Sequence, residues 1–561
     1  MNIHLAKSPS TGLHYVYLTE SYRDKNGKPQ RRFIERIGVL EELQKTEPHV
    51  LERLRREAKT MSKKDKDTKT YQFSVQMNQK IDMTQRLYNY GYSLIKHVYE
   101  QMEVSSFVKD YQSTRRSDYD LSRILELLIY GRMIDPRSKL STHQRKQQFF
   151  MGFEDIKLEE IYKSLEDLTS LKDDLMIHLN DELKTQGLRD ASLVFYDVTN
   201  YYFESVEFDG FRERGVSKEN RETGIVQMGL FIDNKGLPIT YELFPGNTHD
   251  LATMRPILEK IKKQFNLGKL TIVADKGNNS AQNLAMIESY GDDYIIAQRI
   301  RNRGNTYSNI VLDETDYVYN ADQTFKYKLV SFDKEVKLED GTIKMIPEHL
   351  MCFWSKDEEL YQRAKRGLLE DKIEKFIQEP SLLNASNSFG IKKYFKKVKI
   401  DKKTGEVLKG KDAYLFNKDK YERDLALDGY YTIVTNNLEL HPFDIIKHYR
   451  QLSKIEESFR VTKTDLEGRP VYVWKESHIK GHFLTCYLAL LFYRILQLKL
   501  DNKYPIHQIK EALRTANCIE ISQGIYKMIP STPLFYELST HLNKDFGYQF
   551  MTVGEIKKQM K

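Results

Sequence analysis

The chain has 561 residues, of which 40% are hydrophobic and 30% are charged, so we expect three or four folded units of an ordinary globular protein. Its 88 Lys and Arg against 80 Asp and Glu give a net charge of +8. Its three cysteines, Cys352, Cys486 and Cys518, lie far apart, which excludes a disulfide framework and a zinc site and favours a reducing, intracellular setting. No apolar stretch reaches ~18 residues and the first twelve residues have no apolar core, so we expect neither a membrane span nor a signal peptide. The most apolar segment, 483–500, is predicted to be a core helix.

The first part of the chain predicts a small β unit over 1–45, because residues 13–40 alternate in polarity around the turn Lys25-Asn26-Gly27-Lys28. A helical region is predicted over 46–185, where apolar residues recur at helical spacing from Leu121 to Ile129. Its first part, 51–80, carries nine Lys and Arg against four acids. A mildly basic chain with such runs is weak evidence for a polyanionic partner.

Residues 186–299 predict an ordered series of strands and helices. Four strands are predicted at 193–199, 226–232, 237–244 and 270–274, with a helix from about 248 to 265 before the last of them. A helix at about 280–290 and a short strand at 294–297 follow. The order β-β-β-α-β-α-β, with one carboxylate inside the first strand and one after the fourth, is that of a ribonuclease H-like core.

The remaining residues predict an interruption and a return to this core. Residues 300–428 are rich in Lys and Tyr, with Gly turns and one helix at 357–378, and predict a β-rich insertion. Residues 429–505 predict a returning strand and a long helix from Pro442, and 506–561 predict a C-terminal helical region. The predicted class is therefore α/β: a ribonuclease H-like mixed sheet with a β-rich insertion, a helical N-terminal region and a small N-terminal β unit.

Two aspartates stand where a carboxylate is costly to bury. Asp197 follows Leu-Val-Phe-Tyr within the first predicted strand, and Asp275 follows Thr-Ile-Val-Ala at the end of the fourth. A buried carboxylate needs a partner or a metal ion, and the carboxyl ends of strands are where open α/β sheets place their sites. Either residue alone is equally well explained as a strand-end Asp that caps a turn, but the pair in this order favours a site.

A third carboxylate lies on a predicted helix. Tyr449, Glu456 and Lys463 are seven residues apart, and seven residues make two helical turns with about 20° of drift, so they form one stripe. Arg460 lies one turn beyond Glu456, and an ordinary Glu456–Arg460 ion pair is the alternative explanation. Three carboxylates suit two divalent cations, one for the attacking oxygen and one for the leaving oxygen of a phosphodiester.

At these residues the chain resembles the DDE transposases of bacterial insertion sequences, in the branch marked by a Tyr-x2-Arg-x3-Glu-x6-Lys helix. The resemblance covers about 120–500. Its motifs are Tyr196-Asp197-Val198-Thr199, the loop 215–221, Pro245-Gly246-Asn247, Val273-Ala274-Asp275-Lys276-Gly277, 455–460 and 469–472. The chain departs from the signature at Leu452, where the family has Arg; Arg450 and Arg460 are the candidates to supply that charge.

The resemblance implies a transposase that binds the terminal inverted repeats of its element. It implies nicking of the ends by metal-activated water and joining of the 3′-OH ends to target DNA, with Asp197, Asp275 and Glu456 holding two Mg²⁺, or Mn²⁺ as a substitute. It also implies double-stranded DNA as partner, a homodimer in the DNA complex, a bacterial cytoplasmic location at the nucleoid, and no membrane. The helical region before 185 is predicted to read the ends.

The resemblance further implies DNA contacts. Tyr449 and Lys463 are expected to hold backbone phosphate beside the scissile bond, and the Lys-rich run 391–411 of the insertion is expected to grip DNA near the cut. Trp354 is a candidate for stacking on a displaced base. Additional candidates for phosphate contact are Arg460, Ser217, Lys218 and Arg221.

Three other classes of protein are alternatives for this set of residues. A DNA-binding protein with a vestigial site is disfavoured by the intact acid triplet. A nuclease or junction resolvase of the same fold, which cuts without strand transfer, is disfavoured by the long insertion and basic front end. A glycosidase also uses paired carboxylates, but the sheet order and basic surroundings speak against it.

Overall fold

The fold is given by a computed structural model of the chain. It describes residues 2–9, 12–23, 29–47, 49–67, 85–115, 117–150, 152–215, 222–301, 306–338, 340–378, 390–400, 411–522 and 524–560. The chain divides into two compact units, Met1–Met83 and Thr84–Lys561.

The first unit contains a three-stranded antiparallel sheet and two helices. The elements are β1 (Asn2–Lys7), β2 (His14–Arg23), β3 (Pro29–Val39), α1 (Leu40–Thr46) and α2 (Val50–Asp67), with sheet order β1-β2-β3. The strands confirm the alternating pattern of residues 13–40, while the predicted turn at 25–28 lies outside the described residues. Helix α2 belongs to this unit, so the unit extends beyond the boundary predicted at 45.

The second unit begins with helices that pack around a long buried helix from the C-terminal half. The elements are β4 (Leu87–Asn89), α3 (Tyr92–Gln101), α4 (Val104–Ser113), α5 (Leu121–Ile134), α6 (Lys139–Gln144) and α7 (Leu158–Thr185). Asp120 caps α5 by accepting a hydrogen bond from the Arg123 amide. Nearly all of α5 is buried, so these helices form part of the core.

A nine-stranded mixed sheet forms the centre of the second unit. Its first part contains β5 (Leu193–Tyr202), β6 (Ile225–Asp233), β7 (Pro238–Pro245), α8 (Asp250–Gln264), β8 (Thr271–Ala274), α9 (Ala281–Ser289) and β9 (Asp293–Ala297). Strands β5, β8 and β9 are parallel neighbours, and β6 and β7 continue antiparallel beyond β5. The spatial order β7-β6-β5-β8-β9 is the ribonuclease H-like arrangement, which confirms the predicted core.

The insertion extends the same sheet. It contains α10 (Thr306–Leu312), β10 (Val318–Tyr319), β11 (Phe325–Lys337), β12 (Ile343–Ser355), α11 (Lys356–Gln378), β13 (Phe395–Ile400), β14 (Lys411–Phe416) and α12 (Lys418–Ala426). The returning strand β15 (Tyr430–Thr435) lies between β9 and β12, and β11 and β10 follow β12 outward. The strands β13 and β14 form a separate hairpin.

The C-terminal part supplies the helices that cover the sheet. It contains α13 (Pro442–Arg450), α14 (Ser453–Arg460), a π-helical turn (Val461–Asp465), α15 (Glu476–Lys499), α16 (Ile506–Thr515), β16 (Asn517–Ser522), β17 (Ile525–Met528), α17 (Pro533–His541), β18 (Phe550–Thr552) and α18 (Val553–Gln559). Helix α15 has the length and apolarity to cross a membrane, but 94% of its most apolar window is buried inside the protein, as predicted for a core helix.

The C-terminal region differs from the helical prediction. Strands β16, β17 and β18 form a four-stranded sheet with β4 in the order β18-β17-β16-β4. The pairing of Cys518 with Tyr88 joins residues that are far apart in the chain. Local polarity patterns carry no information about such a distant partner, so the sequence predicted the helices of this region, α16, α17 and α18, but not its strands.

A buried cluster of basic groups lies between α6 and α15. The Lys139 ammonium lies 3.4 Å from His482 Nδ1, and His482 Nε2 lies 3.7 Å from the Cys486 sulfur. Burial, with Arg132 nearby, lowers the pKa of Lys139 to about 7. Burial also lowers the pKa of His482 well below its usual value. Lys139 is thus a buried amine that is costly to charge.

Candidate active site

Asp197 and Asp275 lie side by side on neighbouring parallel strands. Strand β5 pairs with β8 so that Tyr196 is opposite Ala274. Asp197 directly follows Tyr196, and Asp275 directly follows Ala274. Both side chains are half-buried. The sheet therefore places two carboxylates at one edge, at the carboxyl end of β8, as the sequence predicts.

These aspartates and Glu456 line one open cavity of about 870 Å³. Glu456 reaches it from the first turn of α14. Six carboxylates line this cavity, Asp197, Asp250, Asp275, Asp357, Glu358 and Glu456, together with one guanidinium, that of Arg450. Its electrostatic character is strongly acidic.

The helix that was predicted to carry Tyr449, Glu456 and Lys463 is broken. Helix α13 ends at Arg450, α14 begins at Ser453, and Lys463 lies in the π-helical turn. A break and a π turn both displace residues from a regular seven-residue stripe, so the stripe is not continuous. Tyr449 and Glu456 nevertheless line the same cavity.

Tyr449 contacts the site through Asp275. Its hydroxyl donates a long hydrogen bond of 3.4 Å to Asp275 Oδ1. Burial, reinforced by the Asp275 carboxylate, raises the pKa of Tyr449 above its usual range, so the hydroxyl stays protonated and remains a donor at neutral pH.

Lys463 and Arg460 are not among the residues that line the cavity. The Lys463 ammonium donates to the Thr199 hydroxyl on β5, beside the cavity. Arg460 pairs with Asp465 at 3.2 Å and approaches Glu457 at 3.7 Å. The cavity's cation is instead Arg450, and Leu452, at the departure from the family signature, is a buried part of the wall.

Glu457 has a different environment from Glu456. Its carboxylate accepts a hydrogen bond of 3.1 Å from Arg494 of α15. The Arg494 side chain is only 8% exposed. Glu457 is thus engaged in an ion pair between α14 and α15, whereas Glu456 lines the cavity.

The other predicted DNA contacts are placed as follows. Ser217, Lys218 and Arg221 lie outside the described residues, as does 401–410 of the Lys-rich run. Trp354 lies on β12 with the ammonium of Lys326 5.6 Å from its ring centroid. Its neighbours Phe353 and Ser355 line the cavity, and the stacking role of Trp354 stays a prediction.

The sequence interpretation missed the residues that the insertion brings to the cavity. Tyr431 of β15 stacks on Phe353 of β12 with ring centroids 5.7 Å apart, and its hydroxyl donates to Glu358 at 3.0 Å. Asp357 and Glu358 begin α11. Only the pairing of β12 with β15 places these groups beside Asp275, and no local pattern signals that pairing. Asp250 begins α8, and its place shortly after the motif Pro245-Gly246-Asn247 is a sequence signal that could have identified it.

The donor set of the cavity fits divalent cations, because hard cations take oxygen ligands. The carboxylates are not gathered into a ready metal cluster: among the described residues, no three His, Cys, Asp or Glu side chains are grouped so that they could hold an ion. The three carboxylates would therefore have to approach one another to share a cation.

The fold and the cavity define a ribonuclease H-like protein with an acidic site at the sheet edge. A model of the transposase DDE domain matches residues 192–492, and a model of the N-terminal domain of IS1634 family transposases matches residues 5–72. The chain therefore belongs to the DDE transposases of bacterial insertion sequences. It is an enzyme of DNA transposition, in a family that works with divalent metal ions.

Two solved structures are similar to the chain at a distance. The piggyBac transposase synaptic complex with hairpin DNA is 8% identical, with 85% of this chain and 87% of that chain covered and a TM-score of 0.37. The Mos1 mariner paired end complex with Mn is 12% identical, with 35% and 66% covered and a TM-score of 0.14. No curated protein matches the sequence. Likenesses this distant carry no argument about the site.

Proposed function

We propose that Asp197, Asp275 and Glu456 hold two Mg²⁺ ions, for which Mn²⁺ substitutes, and that this site cuts the ends of the element and joins them to target DNA. The observation that carries the proposal is that Asp197, within β5, and Asp275, directly after the parallel strand β8, follow paired residues and line one cavity with Glu456. When bound, the ions would stabilise charge on the attacking and leaving oxygens of a phosphodiester.

The charge of the cavity supports a cation site. DNA is a polyanion, and a cavity lined by six carboxylates and one guanidinium repels it. Bound cations remove that repulsion. The carboxylates that repel DNA would then hold the cations that allow DNA to bind.

The reaction needs no redox partner. Water oxygen attacks the phosphorus at the element's end, the bond from phosphorus to the 3′ oxygen breaks, and a 3′-OH and a 5′-phosphate result. The 3′-OH then attacks a target phosphorus and displaces the target's own 3′ oxygen. In this scheme the Tyr449 hydroxyl orients Asp275, and Lys463 steadies the β5 segment next to Asp197 through Thr199.

The partners follow from this scheme. The chain binds double-stranded DNA at two kinds of site, the terminal inverted repeats and the target. Joining two ends in one event requires two active sites, which is the argument for a homodimer in the DNA complex. The expected location is the bacterial cytoplasm, at the nucleoid.

The direct test is a reaction of the full chain with duplexes that carry the terminal repeats of its element. With Mg²⁺ we expect nicks at the repeat boundary and, with a target plasmid, joined products. End binding without any cleavage would contradict the proposal and identify a vestigial site. Cleavage without joined products would identify a nuclease.

Arg450→Ala is expected to lower the single-turnover cleavage rate by about 10- to 100-fold. Arg450 is the cavity's only lining cation among the described residues, and a charge-assisted bond to phosphate contributes about 1.5–3 kcal/mol. Arg460→Ala is the matched control, because that guanidinium is paired with Asp465, and its cleavage rate should fall less than threefold. A larger loss in Arg460→Ala would assign the missing charge of the signature to Arg460 instead.

A further inference from the structure

The sheet of the first unit has two different faces. Residues opposite each other on antiparallel strands point to the same face. One face carries Ile3, Leu5 and Val16, which pack with Val50 and Leu54 of α2 in a small hydrophobic core. The helices α1 and α2 lie against this sheet and contribute to that core.

The other face carries aromatic and basic side chains. Tyr17 of β2 is opposite His4 of β1 and Arg36 of β3, so the three share a face. The Phe33 ring lies edge-on to Tyr17, with centroids 5.2 Å apart, and 5.7 Å from His4. Phe33 is 55% exposed, so about half of this ring is open to solvent at the centre of an aromatic and basic face.

Cations are held among these rings. The Arg36 guanidinium lies 4.1 Å from the centroid of Tyr15, and Arg31 lies 2.6 Å from His4 Nδ1. We call this array the open face, defined by His4, Tyr15, Tyr17, Arg31, Phe33 and Arg36. Its side chains contact one another in pairs, so its cations are ordered against flat rings.

The charge of the chain is concentrated in this unit. Residues 1–83 contain 17 Lys and Arg against 11 Asp and Glu, a net charge of +6 out of the +8 of the whole chain. Basic charge gathered in one small unit is the electrostatic mark of a nucleic-acid-binding domain. Most of this excess, nine Lys and Arg against four acids, lies in residues 51–80, and the open face contributes Arg31 and Arg36 beside aromatic rings.

The dimensions of the sheet fit duplex DNA. The major groove, about 12 Å wide, admits a two-stranded ribbon, and β2 and β3 pair as such a ribbon. Strands β2 and β3 have 10 and 11 residues, which is about 33 Å at ~3.3 Å per residue, close to one helical turn of DNA of about 34 Å. A sheet that lies in the groove reaches base edges, whereas one on the backbone reaches only phosphates.

The helical region that the sequence suggested as the reader is less suited. A recognition helix needs an exposed polar face. Helix α5 is buried almost all round, with only Arg123 and Glu126 left partly exposed. The exposed positions of helix α7 are mostly acidic, among them Glu159, Glu166, Asp174 and Asp181, and carboxylates repel phosphate.

We infer that the open face enters the major groove of the element's terminal repeats and reads their sequence. The inference rests on the proposed function in one respect only, that the chain acts on those ends. Phe33 and Tyr17 contact base edges, and Arg31 and Arg36 bond to phosphates or guanine on either side of the groove.

The test measures binding of the full chain by fluorescence anisotropy, in Ca²⁺ so that no cleavage occurs. One duplex carries the terminal repeat and a second has the same composition in scrambled order. We expect Phe33→Ala to weaken binding to the repeat by about 10-fold and to change scrambled-duplex binding less than twofold. Arg36→Ala should weaken both and reduce the salt-dependence slope by about one.

Arg32→Ala is the matched control, because it removes the same charge from an exposed position of the same strand on the opposite face, across from Glu20, and it should change binding less than twofold. Equal losses for Arg32→Ala and Arg36→Ala, or an unchanged Phe33→Ala, would overturn the inference. So would a Phe33→Ala variant that alters the mass of the DNA-free protein in sedimentation, because the face would then join two copies of the chain. Circular dichroism checks that each variant is folded.

The same assay separates this inference from the proposed function. A wild-type chain that binds the repeat specifically but never cuts it would contradict the proposed function and leave the open face intact. A wild-type chain that cuts the repeat while Phe33→Ala binds it normally would contradict only the role of the open face.

Discussion

Glu456→Gln is expected to lower the rate of end cleavage by at least ~10³-fold and to leave binding of the terminal duplex within about twofold. Glutamine keeps the shape of the side chain but removes the charge that we propose holds a cation. Loss of a metal site removes several kcal/mol of transition-state stabilisation, and each 1.36 kcal/mol is tenfold in rate. Single-turnover cleavage of a labelled duplex measures the first quantity and fluorescence anisotropy the second.

Glu457→Gln provides the control, since it makes the same change one residue further along. Its carboxylate is engaged by Arg494, so the variant should lose some thermal stability and keep cleavage within about fivefold of the wild type. If Glu457→Gln lost cleavage and Glu456→Gln kept it, the third acid would have been misassigned.

Lys139→Met is expected to stabilise the protein at neutral pH by on the order of a few kcal/mol, since each unit of pKa shift corresponds to 1.36 kcal/mol. Methionine fills similar space without an amine to charge. The thermal and urea unfolding midpoints of the variant should both rise. A lower midpoint at pH 6.5 would mean that the amine is a stabilising partner of His482.

The stabilisation by Lys139→Met should depend on pH. The pKa of Lys139 is about 7 in the folded chain, against 10.5 as its ordinary value, so the cost of burying the charge is fully present below pH 7. That cost is lost as the pH rises from about 7 to 10.5, because the unfolded chain binds the extra proton in this range. The gain in Lys139→Met should therefore shrink between pH 7 and pH 9.5.

Lys146→Met is the control for a buried lysine with good partners. Its ammonium donates to the carbonyl oxygens of Glu154, at 2.9 Å, and Ile156. Removing it takes a charged donor away from both carbonyl oxygens, which costs about 1–3 kcal/mol. This variant should be destabilised.

The core could be predicted from sequence because its signals are local. Each strand from β5 to β9 is a short apolar run between turns, and the carboxylates Asp197 and Asp275 stand out against apolar neighbours. The order of strands and helices along the chain was enough to predict that Asp197 and Asp275 lie next to each other. In these cases the nearest residues in the chain determine the structure.

The rest depended on contacts between distant residues. The helix break after Arg450 leaves the seven-residue spacing intact in the sequence, so the pattern predicted one helix. The sequence predicted that Arg460 contacts phosphate, but in the structure its guanidinium forms an ion pair with Asp465. The contribution of Asp357 and Glu358 to the cavity required the position of β12 in the sheet, which only tertiary pairing determines.

The position of the insertion within the sheet also bears on solubility. Strand β12 occupies the hydrogen-bonding edge of β15, whose Ile433 and Val434 are buried. Excision of 300–428 would leave this apolar strand as an open edge, and open edges recruit strands from other molecules. The insertion thus covers an edge that would otherwise be open to aggregation, and a shortened chain would need a charged residue or a proline on β15 to stay in solution.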